Sequence, residues 1–321
     1  MSSSPPRRSV VVATLDDNSI TNQLAESITK AVRETIDQVT IFIVSERFAP
    51  TASRKPSWSE VQDLLTSLYI LASKEAQSLD KVLLDINVVL KSRKEPYIVD
   101  LPEEAKWDYV QTTDALSPEH FDPIGIETKV SAGDEPHPQP PSTPSHGAAR
   151  SHPVVVLGGT FDHLHAGHKL FLSMAAWIAS DKLIVGVTSD KLLVNKKHKE
   201  VLENIETRKS KVAAFIWHFR PDLEQEIVEI EDVYGPTGTD PNIQALVVTP
   251  EPSTLSGADM IDALREEKGL PKLQRYIIDV IPIADSTAPA GSEDAEAALK
   301  RKIEGKMSST YIRGWIAKNR T

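Results

Sequence analysis

The chain has 321 residues, 40% hydrophobic and 26% charged, a globular composition long enough to bury one large core or two ordinary ones. A formal charge of −10 argues against a general nucleic-acid binder, and the absence of cysteine excludes disulfides, zinc–thiolate sites and thiol catalysis. No apolar run approaches the roughly 20 residues that span a bilayer, and the opening residues contain no signal-peptide core, so a cytosolic protein is expected.

Ser9–Leu15, with its Val10-Val-Val-Ala run, reads as a strand. Ile20, Leu24, Ile28 and Val32 recur every four residues as on a helix, with Asn18 or Ser19 as its cap. Thr40–Val44 is a second strand, Val61 to Leu71 an amphipathic helix and Val82–Ile86 a third strand. Alternating strands and helices predict a small α/β domain, assigned to residues 1–126, that contains no glycine-rich phosphate loop. Residues 127–152 carry five closely spaced prolines from Pro136 to Pro144 and little apolar material, as expected of a linker; His137, His146 and His152 read as solvated linker residues.

Residues 153–321 open on an apolar strand, Val154–Leu157, that ends in Gly158 and Gly159. Beyond Gly167, Leu170, Phe171, Met174, Ala175 and Ile178 follow helical spacing. A strand, a glycine turn and a helix place free amides beside a strand's carboxyl end, where anions bind. His165 and His168 are three residues apart at the helix mouth, so both imidazoles can face one ligand and stabilise developing charge. Read without context, the pair fits ordinary polar caps or metal ligands as well, though no cysteine and no third ligand at a usual spacing accompany it.

The segment Gly158-Gly-Thr-Phe-Asp-His-Leu-His-Ala-Gly-His-Lys169 resembles the G-T-F-D and H-x-G-H signature of the nucleotidyltransferase superfamily, in the form found in eukaryotic-type phosphopantetheine adenylyltransferases. The resemblance implies a Rossmann-like parallel-sheet nucleotidyltransferase domain, here preceded by the smaller α/β domain. Its front region is similar in order to the poorly understood region ahead of the adenylyltransferase domain in eukaryotic relatives.

After a second strand, Leu183–Val187, the loop from Lys191 to Lys199 holds four lysines in nine residues. The family places a phosphate-binding lysine in this loop; Lys196 is the choice, with Lys191 and Lys197 as competitors. A helix from Ile205 to Phe219 carries Arg208, read as a surface residue at least as readily as a family arginine. Glu226–Ile230 is the next strand. Tyr234-Gly-Pro-Thr-Gly-Thr-Asp-Pro241 resembles the Y-G-P-x-G-S/T-D-P loop of the same subfamily. A fourth strand, Ala245–Val248, leads through a loop, Thr249–Gly257, to a helix containing Met260, Ile261 and Leu264. The family's usual motifs are absent in this loop, and Glu251 and Arg265 are the nearest candidates. Arg275–Ile281 is the fifth strand, and Asp285–Ser292 a polar loop. Near the end, Ser308-Ser-Thr-Tyr-Ile-Arg313 resembles the S-S-T/S-x-x-R element that grips ATP phosphates in the superfamily, though a plain serine-capped helix is the local alternative.

The resemblance implies that 4′-phosphopantetheine attacks the α-phosphorus of ATP, yielding dephospho-coenzyme A and pyrophosphate. His165 and His168 would face the ATP phosphates together with Gly158, Gly159, Phe161 and Asp162. Lys196 would neutralise the attacking phosphate and the α-phosphoryl group, and Thr160 would hold the phosphopantetheine phosphate. Ser308, Ser309, Thr310 and Arg313 would hold the β- and γ-phosphates; Tyr234, Glu251 and Arg265 would touch substrate. Mg²⁺ would arrive with ATP, with no protein metal site. A nicotinamide-mononucleotide adenylyltransferase and a non-catalytic scaffold in a coenzyme A-making assembly are the rival readings. The R-T-x-G-I-S-T-like ending of a cytidylyltransferase is absent. No G-x-x-x-x-G-K-[ST] occurs, so a separate dephospho-coenzyme A kinase is expected as a pathway partner.

Overall fold

The computed structural model describes residues 5–15, 19–49, 56–92, 109–112, 128–130, 152–278 and 308–319. The chain divides into two units, Met1–Ala149 and Arg150–Thr321.

In the first unit β1 (Arg8–Thr14), β2 (Gln38–Val44), β3 (Asp85–Lys91), β4 (Tyr109–Thr112) and β5 (Thr128–Val130) form one parallel sheet in the order β3-β2-β1-β4-β5. Helices α1 (Asn22–Glu34) and α2 (Trp58–Ser78) connect the first three strands. Val10, Val11 and Val12 are fully buried, which is why β1 reads as an unbroken apolar run rather than an alternating one. Three local expectations are corrected. The cap of α1 is Thr21, whose hydroxyl accepts from the Leu24 amide at 3.2 Å, in place of Ser19; Asn18 lies outside the described residues. The third strand starts at Asp85, because Lys81 to Leu84 closes a turn (Leu84 N to Lys81 O, 3.1 Å) and Asp85 N is the first to join the ladder, on Asp37 O. Thr128–Val130, within the stretch read as a linker, pairs with β4.

The second unit repeats this strand order. Its strands are β6 (His152–Gly159), β7 (Ala179–Thr188), β8 (Glu224–Ile230), β9 (Ala245–Val248) and β10 (Gln274–Ile277), all parallel in the order β10-β9-β6-β7-β8. Helices α3 (Ala166–Ile178), α4 (Ile205–Phe219), α5 (Pro252–Glu267) and α6 (Ser309–Asn319) complete it. From β6 the chain builds outward through β7 to β8, then returns to the other side of β6 with β9. The carboxyl ends of β6 and β9 therefore flank the point where strand order reverses, the place where parallel α/β sheets bind ligands. One core layer is made by Val156, Ile184, Leu246 and Val248 with Ile261 and Ala258 of α5.

His152, read as a solvated linker residue, instead opens β6 partly buried, its Nε2 2.8 Å from the Tyr276 hydroxyl; His137 and His146 lie outside the described residues. The helix after β9 begins earlier than the sequence suggested. Pro252 occupies its first turn, where a missing N–H costs nothing, and Glu251 is its N-cap. Of the expected fifth strand, 275–277 is strand, and 279–281 lie outside the described residues, as does the loop 285–292.

Gly314 sits inside α6, where a Cβ would meet only the His198 ring, at 3.5 Å from Nε2. Gly314→Ala should therefore stabilise by about 0.5–1 kcal/mol, the helix cost of glycine. A rise of about 1–4 °C in the apparent Tm by circular dichroism is expected; a fall would mean that the helix end is strained.

Candidate functional site

Gly158 and Gly159 end β6, and Gly158 is exposed at the tip of the strand. A Cβ on Gly159 would stand 3.1 Å from the Phe161 ring, so a side chain there would press on that buried ring. Phe161 (φ 50°) and His163 (φ 45°) both adopt left-handed backbone, which non-glycine residues hold only when their surroundings enforce it. Those surroundings are identifiable. The Phe161 ring is fully buried and stacks on Phe171 of α3 at 6.4 Å. His163 N donates to Glu203 Oε2 at 2.9 Å, and its Nε2 lies 2.8 Å from the Val201 carbonyl oxygen.

The turn delivers His165 as the N-cap of α3, with no side-chain cap bond to the helix, and His168 one turn on. Their rings stack, centroids 3.9 Å apart at 23°. The two imidazoles therefore form one surface at a helix N-terminus, as the sequence led us to expect. Lys169, which spacing alone left unremarked, is buried, with its ammonium 5.8 Å from the Phe215 ring centroid of α4.

Asp162 and Arg313 do not face an open phosphate site. Asp162 is fully buried; its Oδ1 accepts from Glu203 N at 2.9 Å and its Oδ2 from Arg313 Nη1 at 2.5 Å. Arg313 is equally buried and also donates to the Lys197 carbonyl (2.9 Å) and Thr310 Oγ1 (3.2 Å). This pair draws the start of α6 to the glycine turn across 151 residues of sequence. Ser308 caps α6 by accepting from Tyr311 N at 3.3 Å; the opening amides of a helix have no intrahelical acceptor, which is what suits such an end to anions.

The lysine loop is fixed by Arg208, which proves to be fully buried rather than a surface residue. Its guanidinium donates to Thr160 O at 2.7 Å, Glu203 O at 3.0 Å and Asp190 Oδ1 at 2.5 Å. Asp190 and Glu203 were not singled out from the sequence. The available signal for Asp190 was its place just after a buried strand's carboxyl end. Lys196 and Lys197 are exposed on this loop. Lys191, also exposed, donates to Glu231 at 2.6 Å, and that bond raises its pKa above the ordinary lysine value.

Glu251, at the N-cap of α5, follows β9 and so stands beside the strand-order reversal. Tyr234 and Arg265 are both part of a packing unit. Tyr234 packs partly buried against the core under α5. Arg265 is fully buried, donating to the carbonyls of Thr237 (2.7 Å), Asp240 (2.9 Å), Ile243 (3.4 Å) and Pro271 (2.7 Å). Burial pulls its pKa down, opposed by Asp240 and Asp262. The guanidinium thus staples the Tyr234–Pro241 loop, and each of its nitrogens donates to a backbone carbonyl.

Among the described residues no three His, Asp or Glu side chains cluster as a metal cage. No described helix is long and apolar enough to cross a membrane.

Residues 156–314 match the family model described as cytidylyltransferase-like. The chain is similar to a phosphopantetheine adenylyltransferase of Saccharomyces cerevisiae, 48% identical over 128 residues, or 40% of this chain and 41% of that protein. It is 42% identical over 165 residues to an uncharacterised protein of Schizosaccharomyces pombe, covering 51% of this chain and 48% of the relative. The match thus spans less than half the length of either fungal relative. A phosphopantetheine adenylyltransferase of Methanopyrus kandleri is 38% identical over 40% of this chain and 78% of its own length.

Proposed function

From the premise that the chain belongs to the cytidylyltransferase-like nucleotidyltransferases, in the phosphopantetheine adenylyltransferase family, we propose that it transfers the adenylyl group of ATP to 4′-phosphopantetheine. A phosphate oxygen of the acceptor forms a bond to the α-phosphorus, the bond from that phosphorus to the bridging oxygen breaks, and pyrophosphate leaves. No side-chain nucleophile is needed, so the protein's task is positioning and charge stabilisation. The observation that carries this reading is that two helix N-termini suited to anions, one bearing the stacked histidines and one capped by Ser308, are tied to one turn by Asp162 and Arg313.

In this reading His165 and His168 donate to the triphosphate at the mouth of α3, with the amides of Gly158 and Gly159 beside them. Thr160 meets the acceptor phosphate, and Glu251 borders the same crevice. The first turn of α6, Ser308 to Thr310, receives the outer phosphates, and Lys196 approaches the α-phosphoryl oxygens from the loop. Asp162 is already held by Arg313 and Glu203 N, which fits Mg²⁺ carried by the phosphates and several waters rather than by a carboxylate cage. That ion would supply Lewis-acid neutralisation of phosphate charge. A cytosolic setting belongs to the same proposal, since a cysteine-free chain has no need of an oxidising compartment.

Pyrophosphate release with ATP and either 4′-phosphopantetheine or nicotinamide mononucleotide tests the proposal. Turnover with the first and none with the second supports it; the reverse, or no turnover with either, overturns it. In the same assay Lys196→Ala should lower kcat by about 10- to 100-fold, less than a buried donor because water screens this exposed ammonium. Lys191→Ala, whose ammonium is committed to Glu231, should remain within about threefold of wild type.

A further inference from the structure

We infer that Asp162 and Arg313 are a positioning pair: together they hold the lysine loop and the first turn of α6 in register with the histidine turn, and neither touches substrate. The inference rests on the adenylyl-transfer reading but makes a different claim, that Arg313 acts through the residues it holds.

The geometry supplies the reason. The Asp162 and Arg313 side chains are 0% and 2% exposed, and between them they bridge four points: Glu203 N, Lys197 O, Thr310 Oγ1 and the turn that carries Asp162 itself. Lys197 is the neighbour of Lys196, and Thr310 lies in the anion-receiving turn of α6. All three guanidinium nitrogens of Arg313 are already donating within the protein. Swinging toward a phosphate would strand a fully buried carboxylate without its partner, a severe cost. Arg208 forms a parallel clamp from Thr160 O to Glu203 O and Asp190, so Glu203 is gripped through both its amide and its carbonyl. Three of the four described non-glycine residues with left-handed backbone, Phe161, His163 and His198, lie on the segments this network joins. Backbone of that kind persists where its surroundings over-determine it. A buried ion pair is seldom a stability device, because apolar replacements of similar size are often as stable. What such replacements do not reproduce is the hold on Lys197 and Glu203.

The test uses the full chain with Asp162→Leu and Arg313→Met combined, beside Arg313→Lys alone, and reads kcat, KM for ATP, Tm and amide hydrogen exchange. The combined variant should fold with a Tm close to wild type while kcat falls about 100-fold, the cost of slight misplacement, and KM for ATP changes by less than about threefold. Amides in 196–203 and 309–313 should exchange faster together. Arg313→Lys, which keeps the charge but loses the fork, should show a smaller fall in kcat and faster exchange in 196–203. Wild-type kcat in the folded combined variant would reduce the pair to a structural role. A raised KM for ATP at unchanged kcat would make Arg313 a direct phosphate ligand; either result overturns the inference. Should the combined variant not fold, Arg313→Lys decides, since wild-type kcat and exchange in it refute the pair's role. If the wild-type chain turns over no acceptor, the adenylyl reading fails by itself, and the exchange data still decide whether the pair holds both segments.

Discussion

His168→Ala should lower kcat by about 100- to 1,000-fold, the usual loss when one donor aimed at developing charge is removed. The fold should survive, because the His168 ring stacks on His165 and lies 5.4 Å from Phe161, while the segments are joined by the Asp162–Arg313 and Asp190–Arg208 pairs. Alanine is also the better helix former, so α3 gains slightly where it loses the ring. Steady-state pyrophosphate release beside thermal unfolding separates the two effects. His168→Asn restores one donor near the same place and should recover part of the lost rate. Unchanged turnover in His168→Ala would remove the imidazole surface from the mechanism altogether.

Arg265→Ala should do the opposite: destabilise the second unit by about 3–5 kcal/mol and leave the turnover of the folded fraction nearly unchanged. Four carbonyls lose their donor, and a buried unsatisfied polar group costs about 1–3 kcal/mol. The total stays below the simple sum because the loop can relax and admit water. Arg265→Lys keeps the charge without the fork and should fall in between. Denaturant titration gives the stability, and activity at a temperature well below the midpoint gives turnover. A raised KM for phosphopantetheine with no loss of stability would instead return Arg265 to the substrate-binding role that its sequence position suggested.

How much could be read from the sequence follows from which interactions are local. Strands buried on both faces announce themselves as apolar runs, so Val10–Val12, Val154–Leu157 and Ala245–Val248 were plain. β4 and β5 were not: four and three residues long, they offer too little pattern to separate from loop. The onset of α5 was hidden by Pro252, which looks like a breaker yet suits a first helical turn. Within the site, the glycine turn, the histidine pair and the Ser308 cap are short-range motifs and were legible. The buried arginines were not. Arg208 was read as a surface residue at least as readily as a family arginine and Arg313 as a phosphate ligand, yet each finds its carboxylate on another segment, 18 and 151 residues away. One-dimensional spacing carries no record of such a meeting. Arg265 was noticed for its position, but its role came from the loop carbonyls that surround it.

The account depends on one triphosphate lying between the histidine turn and the first turn of α6. A crystal structure of the full chain with a non-hydrolysable ATP analogue measures this directly. The prediction is that the phosphates lie within hydrogen-bond distance of the His165 and His168 rings and of the Ser308–Ser309 amides, with the Asp162–Arg313 pair still closed beneath them. A nucleotide bound away from either of these two helix ends would contradict it.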